Sequence, residues 1–167
     1  MSYEKVLAEL RRHHFMTLAT TGADGRPHSA GVSYAVSPVG TEVVLYVMTR
    51  THLQKTRDIA RESSVAMVVP IHRRLLQFLP PATMQLRGQA QILDWREADG
   101  TGAFEHFWLG RRILAAYRDS AAQGESRICF LRITPEPIIR TYMLGTPIWE
   151  LGGRMESGAA NVIIPRR

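Results

Sequence analysis

The residues best placed to do chemistry lie in one short stretch, Leu45-Tyr46-Val47-Met48-Thr49-Arg50-Thr51-His52-Leu53-Gln54-Lys55. An apolar, β-branched run ends there and a helical pattern begins. Backbone N–H groups at a helix N-terminus lack partners and favour anions. Thr49 and Thr51 can donate further hydrogen bonds, Arg50 and Lys55 carry charge, and His52 stands among them. Together they make a phosphate site on a strand-to-helix corner. The same residues would serve equally as an exposed capping segment whose charges are solvated.

Other catalytic signatures are missing. There is no GxSxG elbow, no GxxxxGK[ST] loop and no HExxH pair, and Gly100-Thr101-Gly102 does not continue as a dinucleotide fingerprint. The six histidines show no ligand spacing; His13 and His14 are adjacent and would point about 100° apart on a helix. Cys129 is the single cysteine and sits within a strand pattern, where a small buried hydrophobe is the default. An internal disulfide framework, a thiolate metal cluster and a cysteine nucleophile are therefore not expected.

Apolar residues form 45% of the 167 and charged residues 22%, a globular balance that excludes wholesale disorder and fits a single domain. The longest strongly apolar run, Val43 to Met48, is far below the roughly 18 residues of a membrane span. Met1-Ser2-Tyr3-Glu4-Lys5 lacks the apolar core of a secretion signal, and the expectation is a cytoplasmic protein. Net charge is +6, and of the 21 basic residues all but Lys5 and Lys55 are arginine. The arginine pairs are scattered and not interleaved with aromatics, so no nucleic-acid partner is expected.

The elements that must hold the corner can be read from periodicity. Ser2 can cap a helix with Tyr3, Val6, Leu7, Leu10 and His14 on one face. Strands are expected at Phe15–Thr20, His28–Val36, Glu42–Met48, Val65–Val69 (ended by Pro70), Thr83–Leu93, Arg127–Ile133 and Ile138–Met143. Helices are expected after His52 and through Phe104, Phe107, Trp108, Leu114 and Ala115. Many short strands joined by tight turns, with a few inserted helices, predict a mainly β fold: a small closed or partly closed antiparallel barrel. The segment from Leu144 to Arg167 is glycine-rich and reads as a tail on this one domain. Apolar stretches such as Leu75-Leu76-Gln77-Phe78-Leu79 and Val65–Val69 exceed what one small core needs, which predicts a homodimer.

In order along the chain, the opening helix, Phe15-Met16-Thr17-Leu18-Ala19-Thr20, Asp24-Gly25-Arg26-Pro27-His28, the Tyr46–Lys55 corner and Gln85-Leu86-Arg87-Gly88-Gln89-Ala90 resemble the FMN-binding split β-barrel family named after pyridoxamine 5'-phosphate oxidase. The resemblance implies an antiparallel, Greek-key-like split barrel with FMN at a homodimer interface. It implies that Val32, Ser33 and Tyr34 line the flavin, that Met48 and Thr49 hold it, and that Lys55 neutralises its phosphate. Thr83 and Gln85 would reach it from the other subunit, and Trp149 on the tail would lie near the ring. The oxidase has an arginine on its second strand where this chain has Ala30; Arg50 or Arg57 would compensate. Its C-terminal substrate signature is not recognisable in Leu144–Arg167, so pyridoxamine phosphate is not implied as substrate.

The implied function is a flavin-dependent oxidoreductase passing electrons from a donor to a small organic acceptor. A deazaflavin would use nearly the same phosphate corner. The alternative from another class is a non-catalytic flavin carrier or a haem-binding barrel, with His52 or His72 as the ligand.

Overall fold

The computed structural model describes residues 2–38, 42–71, 81–145 and 158–165. Helix α1 (Tyr3–Arg12) opens the chain, with the Ser2 hydroxyl accepting from the Lys5 N–H and Val6 and Leu10 buried. Strands β1 (Phe15–Thr21) and β2 (Pro27–Ser33) form a hairpin whose turn uses Gly25 at φ +76. There follow β3 (Ala35–Val36), β4 (Leu45–Arg50), α2 (Gln54–Arg61), β5 (Ser64–Ile71) and β6 (Ala82–Asp94). Helices α3 (Ala98–Glu105) and α4 (Trp108–Ala122) precede β7 (Ile128–Pro135), β8 (Ile138–Tyr142) and β9 (Ala159–Ile163).

All pairings are antiparallel, in the order β2-β1-β5-β6-β7-β4-β3, with β8 between β6 and β9. The sheet curls into a half-barrel, as the split-barrel reading expected. Its bend comes from β6, which pairs β8 through Thr83–Gln85 and β7 through Gly88–Asp94. At the branch point a Cβ on Gly88 would lie 2.5 Å from the Thr134 carbonyl oxygen, so the close crossing needs glycine.

Several boundaries differ from the sequence reading, each for a packing reason. The extended run His28–Val36 breaks at Tyr34, whose N–H donates to the His14 carbonyl and whose hydroxyl donates to Leu10. The strand expected from Glu42 begins at Leu45 and continues to Arg50. Pro70 does not end β5; it lies beyond the residues that β1 pairs and faces Thr83 on β6 alone. The helix expected through Phe104 and Ala115 is two helices, α3 and α4, and a Cβ on Gly110 would sit 2.0 Å from the Phe104 carbonyl oxygen. The expected tail returns as β9, laddered along β8.

Two apolar cores result. The barrel interior holds Leu18, Val47, Met67, Leu86 and Ile133 among others, while Tyr46, Met48, Phe104, Leu114 and Phe130 pack beneath α3 and α4. The opposite face of the sheet carries exposed Phe15, Val68, Ile138 and Ile163, which the ladder registers put on one side. No helix among the described residues is long and apolar enough to cross a membrane.

Candidate functional site

Strand β4 alternates its side chains between the two cores. Thr49 faces the barrel side and is buried, directly across from Cys129 in the β4–β7 ladder. Met48 and Arg50 face the other way. Met48 packs in the second core and its carbonyl accepts from the Tyr117 hydroxyl at 3.2 Å. Arg50 stacks on the Tyr117 ring at 5.2 Å and reaches Glu125 at 3.5 Å. Glu125 also takes Arg127, whose hydrogen bonds hold its carboxyl down at about 2. Arg50 is thus committed to α4 and the β7 approach.

The turn Thr51–Leu53 then leads into α2. Leu53 gives no side-chain cap, so the first-turn N–H groups of α2 have no side-chain acceptor. Thr56 anchors the turn by donating its hydroxyl proton to the Arg50 carbonyl at 2.9 Å. Lys55 is half-buried and close enough to Cys129, the ladder partner of Thr49, for its charge to act on the thiol. Burial lowers its pKa, and pushes the Cys129 thiol up to about 11 with Lys55 drawing it back. Among the described residues Lys55 has no ion-pair partner; Asp94, across from Cys129 on β6, turns to Arg96 at 3.7 Å. A half-buried cation thus stands at a helix start without a side-chain cap, with no carboxylate paired to it among the described residues. Groups of this kind have the chemistry to take an anion.

The structure distributes the other expected residues more widely. Ser33 lies on the uncovered sheet face opposite Phe15, whereas Val32 is in the barrel core. Tyr34 is fully buried, burial pushes its pKa upward, and its hydroxyl donates to the Leu10 carbonyl. His52 is exposed in the turn. Thr83 and Gln85 share the uncovered face, across from Tyr142 and Arg140 of β8. Trp149, His72 and the Leu75–Leu79 stretch lie outside the described residues.

One cluster was missed. Asp58 on α2 is completely buried, yet accepts from Thr20 and His28 on one oxygen and from Gln54 and Arg61 on the other, at 2.8–2.9 Å. Burial pushes the carboxyl up, but the hydrogen bonds from His28, Thr20 and Gln54 outweigh it and hold it at about 2. Sequence offered only an aspartate among apolar and basic neighbours; its partners lie 38 and 30 residues away on β1 and β2. No group of three or more metal-ligating side chains is present among the described residues.

The family model described as pyridoxamine 5'-phosphate oxidase matches residues 3–141. Solved structures share the fold at low identity. The haem storage protein HutZ of Vibrio cholerae is 16% identical with a TM-score of 0.60, covering 81% of this chain and 92% of its own. A conserved hypothetical protein of Mycobacterium tuberculosis is 21% identical with a TM-score of 0.59, covering 81% of each chain. A haem-binding protein of Mycobacterium smegmatis is 18% identical with a TM-score of 0.56, covering 95% of this chain and 55% of its own. A sequence search of curated proteins returned no match. With the curled antiparallel sheet and the match over residues 3–141, the chain belongs to the pyridoxamine 5'-phosphate oxidase family of split barrels.

Proposed function

We propose that the protein is an FMN-dependent oxidoreductase acting on a small organic molecule, with the cofactor held at a homodimer interface. The observation that carries this reading is Lys55: a half-buried cation with no counter-ion among the described residues, at a helix start without a side-chain cap. Partial desolvation without a counter-ion lowers the ammonium's pKa, and an external anion would offset that loss of hydration. Lysine suits a compact phosphate contact in a chain that otherwise uses arginine. Thr49 and the first-turn N–H groups would share the phosphate. When bound, the flavin supplies the redox chemistry; the protein orients it, excludes water and supplies hydrogen bonds to the ring.

The homodimer is supported by the sheet face bearing Phe15, which is 52% exposed, and Val68, which is 38% exposed. Thr83, Gln85 and Ser33 lie on that face, so pairing two copies would bring them toward a partner's cofactor. A deazaflavin would engage the same phosphate corner.

A haem-binding reading draws on one specific feature besides the relatives' names. His28 gives its Nδ1 to the buried Asp58 at 2.8 Å while its ring remains 42% exposed. An imidazole held by a carboxylate on one nitrogen is prepared to ligate through the other. His52 has no such orienting partner among the described residues.

The absorbance spectrum of the protein as purified, and after incubation with FMN or haemin, tests these readings. Oxidised-flavin bands and a stoichiometric, reducible complex support the proposal. A Soret band with no flavin uptake would overturn it in favour of haem, and a deazaflavin spectrum would replace the cofactor alone.

A further inference from the structure

We propose that Asp58 is the positioning residue for Lys55: by fixing the roll of α2 it holds the ammonium on the Cys129 side of the helix start and so sets the affinity for a cofactor phosphate. The inference rests on the flavin reading and extends it to groups one turn further along the helix.

Helix α2 has eight residues, too few to be stable alone, and its start has no side-chain cap. Lys55 cannot locate itself, since it makes no hydrogen bond or ion pair with a described residue. Its position follows from the backbone. Two polar ties hold that backbone: Thr56 on the Arg50 carbonyl, and Asp58 on Thr20 of β1 and His28 of β2. Residues three apart on a helix are near neighbours around its axis. A roll that parted Asp58 from the β1–β2 hairpin would therefore swing Lys55 away from the β4–β7 pair.

The hairpin side of this tie is itself packed tightly. A Cβ on Gly22 would lie 2.6 Å from Cε1 of His28, so the turn closes against the imidazole that Asp58 holds. The choice of ion-pair partner also matters. Asp58 has Lys55 three residues before it and Arg61 three after, and pairs with Arg61 at 2.9 Å. Satisfying the carboxylate with Arg61, Gln54, Thr20 and His28 leaves Lys55 available to an incoming anion.

The test compares FMN and riboflavin affinity by fluorescence quenching, with the ³¹P resonance of bound FMN, in full-length wild-type protein and the Asp58→Asn, His28→Gln and Thr20→Val variants. Asp58→Asn should weaken FMN about tenfold while riboflavin stays within about twofold, and should move the ³¹P resonance. His28→Gln and Thr20→Val each disturb one donor and should change the same ratio in the same direction by less. They carry the test if Asp58→Asn does not fold. An unchanged FMN-to-riboflavin ratio in the folded variants, even with a lowered melting temperature, would overturn the inference and leave Asp58 as a structural pin. Wild-type protein that takes up neither flavin would instead remove the flavin reading itself, and wild-type protein that binds both equally would overturn the inference by showing no phosphate contact to position.

Discussion

The two flanks of α2 handle charge in opposite ways. On the hairpin flank Asp58 is fully buried and saturated by four side-chain donors. On the β4–β7 flank, one turn earlier, Lys55 is half-buried and carries no partner among the described residues. A buried charge that the chain satisfies itself belongs to folding; one it leaves open points outward to a ligand. The comparison yields distinguishable expectations: Asp58 should carry both stability and, through the roll of α2, anion affinity, whereas Lys55 should carry anion affinity alone.

The largest effect is expected from Asp58→Ala. It strands donors from two strands and the helix, and should cost about 3 kcal/mol in denaturant unfolding, since Arg61 and His28 can still turn to water. A loss below about 1 kcal/mol would break the contrast by showing the hub to be dispensable. The pH dependence follows with a definite sign. The folded Asp58 carboxyl lies at about 2, below its ordinary 3.8. Its contribution is therefore complete above pH 3.8 and is lost as the pH falls through about 2. Asp58→Asn should flatten the acid limb of the stability curve over that window.

Lys55→Ala should do the reverse. FMN affinity is expected to fall by about 1.5–3 kcal/mol, roughly ten- to hundredfold, while riboflavin affinity and unfolding stability stay near wild type. Equal weakening of both flavins would take Lys55 away from the phosphate and dissolve the contrast.

Val68→Asp extends the comparison from α2 to the uncovered sheet face. A carboxylate placed between Thr17 and Gln85 should raise the dimer dissociation constant at least about tenfold without unfolding the barrel. Sedimentation showing the same oligomeric state for wild type and variant would count against that face as the interface. The smallest effect is expected at Tyr117→Phe, which removes the 3.2 Å hydrogen bond to the Met48 carbonyl. About 0.5–1 kcal/mol of stability should be lost, with flavin affinity unchanged, because Met48 and Arg50 face α4 and not Lys55.

The site was partly legible in the chain. Thr49 and Lys55 are six residues apart, and the strand end at Arg50 followed by the helix start at Gln54 is set by local geometry alone. Asp58 was illegible because hydrogen bonds to Thr20 and His28 leave no trace in the local pattern of α2. The contacts of Arg50 were illegible for a related reason: its approach to Tyr117 and Glu125 depends on α4 packing beneath β4. Tyr34 sits in a strand-like run, but only the core decided that its hydroxyl would reach Leu10.

By itself the sequence determined the antiparallel β character, the capped first helix, the Gly25 turn and the strand-to-helix corner, because period, turn chemistry and capping act over a few residues. The tertiary structure alone decided which side of each strand met which core. It also decided that β6 would branch at Gly88 and that the C-terminal segment would close as β9 on β8. Those outcomes depend on distant backbones approaching one another, where long-range burial and hydrogen-bond satisfaction override the local preference of any single segment.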